Sequence, residues 1–94
     1  MKYQDHFDEA LKRARKARGL TQEDFSSLSS RTYVSTLERG IKSPTLSKIN
    51  DLAEVLGMHP LTLLALAYST SKGQTTPERL IAQVERELRA VISK

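Results

Sequence analysis

Four hydrogen-bonding residues, Arg31, Thr32, Ser35 and Thr36, fall within one short stretch, and helical spacing sets them on one face with Val34 and Leu37 on the other. A helix built this way fits the major groove of B-DNA, where each base pair shows its own pattern of donors and acceptors. Arg31 has the fork to donate twice to guanine O6 and N7, a contact that discriminates by about 1–3 kcal/mol. Thr32 and Thr36 suit base edges or a thymine methyl, and Ser35 offers a weaker contact. Tyr33 leaves two roles open, a ring that packs and a hydroxyl that reaches a phosphate. A solvated polar face with no partner is the plainer reading of the same residues.

Other chemistries find less support. The chain has no cysteine, which removes disulfides, thiolate metal sites and thiol nucleophiles. His6 and His59 stand far apart and lack nearby ligands, so no metal is expected, and His59 suits a helix cap. Serines and threonines are plentiful, yet no Gly-x-Ser-x-Gly elbow, phosphate-binding loop or His-Glu-x-x-His string accompanies them. Neither an enzyme nor a bound cofactor is expected.

The elements that must position the polar face are all helical, since no segment alternates with period two. The first helix is expected from Tyr3 to Arg18, with Phe7, Ala10, Leu11 and Ala14 as its stripe and Gly19 closing it. Thr21 caps a second helix, with Gln22-Glu23-Asp24 in its first turn and Phe25 and Leu28 turned inward before Ser29. Ser30 caps a third, from Arg31 to about Arg39, stopped by Gly40. Thr45 caps a fourth carrying Leu46, Ile49, Leu52, Ala53 and Leu56 on one face up to Gly57. His59 and Pro60 open a fifth, Leu61 to Tyr68.

A polar connector, Ser69 to Thr76, separates these from a sixth helix capped by Thr76 with Pro77 in its first turn. There Ile81, Val84, Leu88 and Val91 repeat at 3-4-3 spacing, flanked by Leu80 and Ile92. About two heptads are too few for an independent coiled coil, so the helix must dock on its own domain or on a second copy. The Leu61, Leu63, Leu64, Leu66 run also exceeds what one stripe hides, and part of it should meet the sixth helix or another subunit.

Length and composition agree with a single small core: 94 residues, 38% hydrophobic and 28% charged, suit a soluble globular domain. The longest near-apolar run, Met58 to Tyr68, falls short of the roughly 20 residues a membrane span needs. Acids interrupt the N-terminus where a signal peptide needs an apolar core. A cytoplasmic location and no membrane partner are expected. A net charge of +4 permits a polyanion as partner without choosing one.

The string Gly19-Leu20-Thr21-Gln22-Glu23-Asp24, then Tyr33-Val34-Ser35-Thr36-Leu37-Glu38-Arg39-Gly40, then Ser43-Pro44-Thr45-Leu46 and Leu56-Gly57, resembles the Xre-type helix-turn-helix family. That family includes phage repressors, Cro proteins and restriction-modification controllers. The resemblance covers Phe7 to Tyr68 and implies an all-α fold: a five-helix lambda-repressor-like domain, here with an additional C-terminal helix. It departs between Gln22 and Tyr33, which is shorter than the family spacing, and Leu28-Ser29-Ser30 stands where a glycine near a Val-Ser pair is usual. The tilt of the third helix is therefore less determined than the motif.

By this resemblance double-stranded DNA is the partner. Gln22 would hold a phosphate and brace the reading helix, while Arg39, Lys42, Ser43 and Thr45 would bind backbone, with Tyr33 as a further phosphate contact. Arg15 and Glu38 match positions that form a structural ion pair, so most of the basic run Lys12 to Arg18 reads as structural. The expected organisation is residues 1–68 for DNA binding, 69–76 as connector and 77–94 for dimerisation through Ile81, Val84, Leu88 and Val91. A homodimeric regulator of a near-palindromic operator follows, with no small-molecule effector evident. Antitoxin or restriction-controller roles would use the same domain for autoregulation. A protein-interaction module without DNA binding would use the Leu61 to Leu66 surface and the last helix.

Overall fold

The structure, a computed structural model, describes residues 4–26, 31–69 and 75–93, with the side chains of all of these except Gln4, Asp5 and Arg31. Its elements are α1 (Gln4–Ala17), a single 3₁₀ turn (Gln22–Phe25), α2 (Arg31–Glu38), α3 (Leu46–Leu56), α4 (Pro60–Ser69) and α5 (Pro77–Ile92). Among the described residues there is no strand. The expected Ser30 cap, Leu28 and most of the connector lie outside the described residues.

Local chemistry explains most boundaries. The Thr45 hydroxyl accepts from Lys48 N at 3.2 Å and the Thr76 hydroxyl from Arg79 N at 3.2 Å, each satisfying an N–H that the helix leaves open. His59 caps α4 through Nδ1, which accepts from Leu61 N at 3.0 Å. At the other ends α2 and α3 close alike. Gly40 N donates to Leu37 O and Ile41 N to Thr36 O, and Gly57 N donates to Glu54 O and Met58 N to Ala53 O. This paired closure requires a left-handed residue, and the φ values of Gly40 and Gly57 are 73° and 70°.

The second element differs from the expected α-helix. Thr21 and Asp24 cap each other, with Asp24 N donating to the Thr21 hydroxyl and Thr21 N to Asp24 Oδ2 at 2.7 Å. Ser26 N then donates to Glu23 O, so the turn tightens to 3₁₀ geometry around one buried side chain, Phe25. Both capping groups are consumed within four residues, and the serine that follows has little helical preference.

The core draws on every element through α4: Phe7, Leu11 and Ala14 from α1, Phe25 from the turn, Val34 and Leu37 from α2, Ile49, Leu52 and Leu56 from α3, Leu63 and Ala67 from α4. Each large side chain buried here contributes roughly 1.5–3 kcal/mol. The most extensive packing joins α1 to α4, and α2 rests on α1 and the 3₁₀ turn. Pro44 is buried and pins the loop between α2 and α3. By contrast α5 buries no residue and touches α4 alone among the helices with substantial contact. Among the described residues no single helix is long and apolar enough to cross a membrane; α3 and α4 pass that test only together, and they meet at 102°.

A Cβ at Gly57 would meet nothing within 4 Å, so a substitution there isolates backbone strain. Gly57→Ala is expected to lower the unfolding free energy by about 1–2 kcal/mol, and Gly57→Asn by less, because asparagine tolerates the left-handed region. Urea midpoints measure both, and equal midpoints for the two variants would remove the conformational explanation.

Candidate nucleic-acid interface

Every polar residue proposed for the reading face sits on α2, whose eight residues span little more than two turns. Val34 and Leu37 are fully buried beneath it. On the opposite side Thr32 is exposed, and Ser35 and Thr36 are half-buried. Arg31 begins the helix, but its side chain lies outside the described residues. The polar face is thus a shallow patch supported directly by the core.

Thr36 presents an altered set of groups. Its hydroxyl donates to Tyr33 O at 2.6 Å, so the hydrogen is spent within the helix and the side chain keeps only its lone pairs and methyl group for other contacts. Tyr33 lies to one side of the patch, half-buried against the core, with the Lys48 ammonium 5.6 Å from its ring centroid. Burial raises the Tyr33 pKa above its ordinary value. Lys48 was not among the residues expected from the sequence. Its signal was a cation in the first turn of a helix that has no acid there, the reverse of the usual preference.

The end of α2 is held by charge. Arg15 on α1 donates from Nε to Glu38 Oε2 at 2.6 Å and from Nη2 to Oε1 at 3.0 Å, a two-pronged pair. Its third group, Nη1, donates to Leu20 O at 3.0 Å. The two side chains are 12% and 3% exposed. A carboxylate at the last residue of a helix opposes the helix dipole, and Arg15 supplies the compensating charge. The hydrogen bond to Glu38 holds the Arg15 guanidinium above its ordinary pKa range, against the opposing effect of burial.

Gln22 completes this cluster. Its amide donates to Glu38 Oε1 at 3.0 Å, and because the acceptor is a carboxylate, the nitrogen must face it. One amide hydrogen is thereby committed inside the protein and one remains. Thr45, at the start of α3, uses its oxygen on Lys48 N and keeps its hydroxyl hydrogen for an outside acceptor. Arg39, Lys42 and Ser43 are exposed along the loop that joins the two helices, with Arg39 Nε 3.4 Å from Ser35 O. Tyr33, Arg39, Lys42, Ser43, Thr45 and the α2 face therefore lie along one stretch of chain, from the start of α2 to the cap of α3, and Gln22 joins it through Glu38.

Two comparisons bear on this arrangement. The helix-turn-helix family model matches residues 11–63, which run from α1 into α4 and include the whole of α2 and its flanking loops. The chain belongs to the Xre-type helix-turn-helix family. An uncharacterized HTH-type transcriptional regulator of Sinorhizobium fredii, y4dJ, is 38% identical over 63 residues, 65% of this chain and 82% of that protein. No solved structure matches at a significant level. The all-helical arrangement is the lambda-repressor-like form of the helix-turn-helix, and the family is one of DNA-binding transcriptional regulators rather than enzymes. The helix-turn-helix match ends before α5 begins.

Stranding one charge of the Arg15–Glu38 pair should be costly. Glu38→Gln is expected to lower stability by about 3 kcal/mol, while the double variant Arg15→Met/Glu38→Leu recovers most of that loss. Urea unfolding of both variants checks this. A double variant no more stable than Glu38→Gln would show that packing, not the stranded charge, sets the cost.

Proposed function

We propose that this helix-turn-helix protein is a sequence-specific transcriptional regulator that binds a near-palindromic operator as a homodimer, one α2 in the major groove of each half-site. The observation that carries the reading is the polar face of Thr32, Ser35 and Thr36, standing directly over buried Val34 and Leu37 on a helix whose end is clamped by Glu38. A helix so anchored offers its side chains to base edges without losing its own order. Arg31, Thr32, Ser35 and Thr36 read bases, with Thr36 contributing a methyl group or an acceptor rather than a donor. Gln22, Tyr33, Arg39, Lys42, Ser43 and Thr45 hold phosphates and set register.

Residues 1–68 form the DNA-binding part, 69–76 the connector and 77–94 the dimerisation element, working in the cytoplasm. Ile81, Val84, Leu88 and Val91 form the seam, and their exposure in a single copy supports that role. Two-fold symmetry then spaces the half-sites about 34 Å apart, one turn of B-DNA. Occupancy of promoter DNA is the regulatory event, controlled by protein concentration through coupled dimerisation and binding.

Gel shifts on genome-selected fragments test the reading. Affinity should fall steeply with salt, and Lys42→Ala should weaken binding uniformly while lowering the log–log salt slope by about one. Arg31→Ala should instead lose preference at one base position, about 1–3 kcal/mol, with folding intact. Operator selectivity that survives Arg31→Ala would overturn the groove assignment. Val84→Glu/Leu88→Glu should give monomers that bind the operator weakly; an unchanged sedimentation profile would rule out the seam.

A further inference from the structure

The two halves of α5 differ. Along its first half, Leu80, Ile81 and Val84 face Leu61, Leu64 and Tyr68 of α4 across an open groove of about 230 Å³. Pro77 and Ile81 also line a neighbouring hollow with Ser69 and Ala65, so the first half of α5 is the part that borders α4. Past Val84, no residue of α5 lines this groove. The same stripe goes on there without cover: Leu88 is 51% exposed, Val91 72% and Ile92 75%. One molecule thus carries both an apolar groove and an apolar rod that its own groove cannot take.

We infer that the occupant of the groove is the second half of α5 from a second copy of this chain, so that two α4–α5 hairpins close on each other as an antiparallel four-helix bundle. This rests on the homodimer reading and specifies its geometry. Antiparallel pairing about a two-fold axis sets Val84 opposite Leu88 of the second copy and Ile81 opposite its Val91, the a-to-d layers of the 3-4-3 stripe. Parallel pairing would join rod to rod and leave both grooves open. The antiparallel arrangement fills both grooves and covers Leu61, 58% exposed in a single copy.

Charge favours a like partner. Pro77–Ile92 carries Glu78, Glu85 and Glu87 against Arg79, Arg86 and Arg89, with Arg89 bound to Glu85 at 2.9 Å. A nucleic acid or an anionic membrane would call for a basic border, and this border is neutral. An isologous contact asks only that the surface complement itself.

The absence of native cysteine makes the test direct. Val84→Cys and Leu88→Cys are prepared separately, then unfolded and refolded either alone or mixed, and oxidised mildly. Disulfide-linked dimer is expected from the mixture and not from either variant alone. Linkage of each variant to itself overturns the inference in favour of parallel pairing. A dimer by sedimentation with no linkage in any sample places the interface elsewhere, and a monomer removes the homodimer reading together with this one. Leu61→Glu, on an exposed position, should weaken dimerisation at least tenfold with an unchanged far-ultraviolet circular dichroism spectrum; full dimerisation would also overturn the inference. A linked dimer that shifts no DNA fragment would leave this interface standing and remove the operator reading.

Discussion

Arg15, Glu38 and Gln22 meet in one small polar cluster inside an otherwise apolar domain, and the placement of α2 depends on it. Glu38 is the last residue of α2, Arg15 belongs to the last turn of α1, and Gln22 begins the 3₁₀ turn. Three elements that also meet in the apolar core are thereby fixed around one carboxylate. A buried ion pair contributes less to stability than to choosing one arrangement among several of similar packing. For a helix of eight residues, which has almost no stability of its own, that choice is what holds the outward face at a constant angle.

Packing and polarity divide the work across α2. Val34 and Leu37 set its depth in the core, while the Glu38 cluster sets its rotation and Pro44 anchors the loop that follows. Side chains left over for an outside partner are those that neither task uses. Thr36 sits at the boundary, with its hydrogen spent on Tyr33 O, and Gln22 likewise serves the protein with one amide hydrogen before any outside group.

What could be read from the sequence follows from how local each cause is. Caps at Thr45, His59 and Thr76 and closures at Gly40 and Gly57 depend on a few neighbouring residues, and they stand where composition places them. The 3₁₀ turn was not legible as such, because a four-residue element is decided by how Phe25 must enter the core. Arg15 and Glu38, 23 positions apart, were reachable only through the family resemblance. The Lys48–Tyr33 contact joins two helices across a loop, and no periodicity encodes it. The stripe on α5 was visible from spacing alone. Its division into a groove wall and an uncovered end required knowing which of its residues border α4.

The dominance of α1–α4 packing has a consequence for how the chain is made. The Phe7, Leu11 and Ala14 stripe finds its main support on the last helix of the core, so a nascent chain holds that stripe open until Leu63 and Ala67 have been synthesised. Closing so long a loop must precede the contacts that reward it. Early-made α1 therefore keeps much of its apolar stripe open until α4 is free to pack on it, and the core cannot be completed helix by helix from the N-terminus.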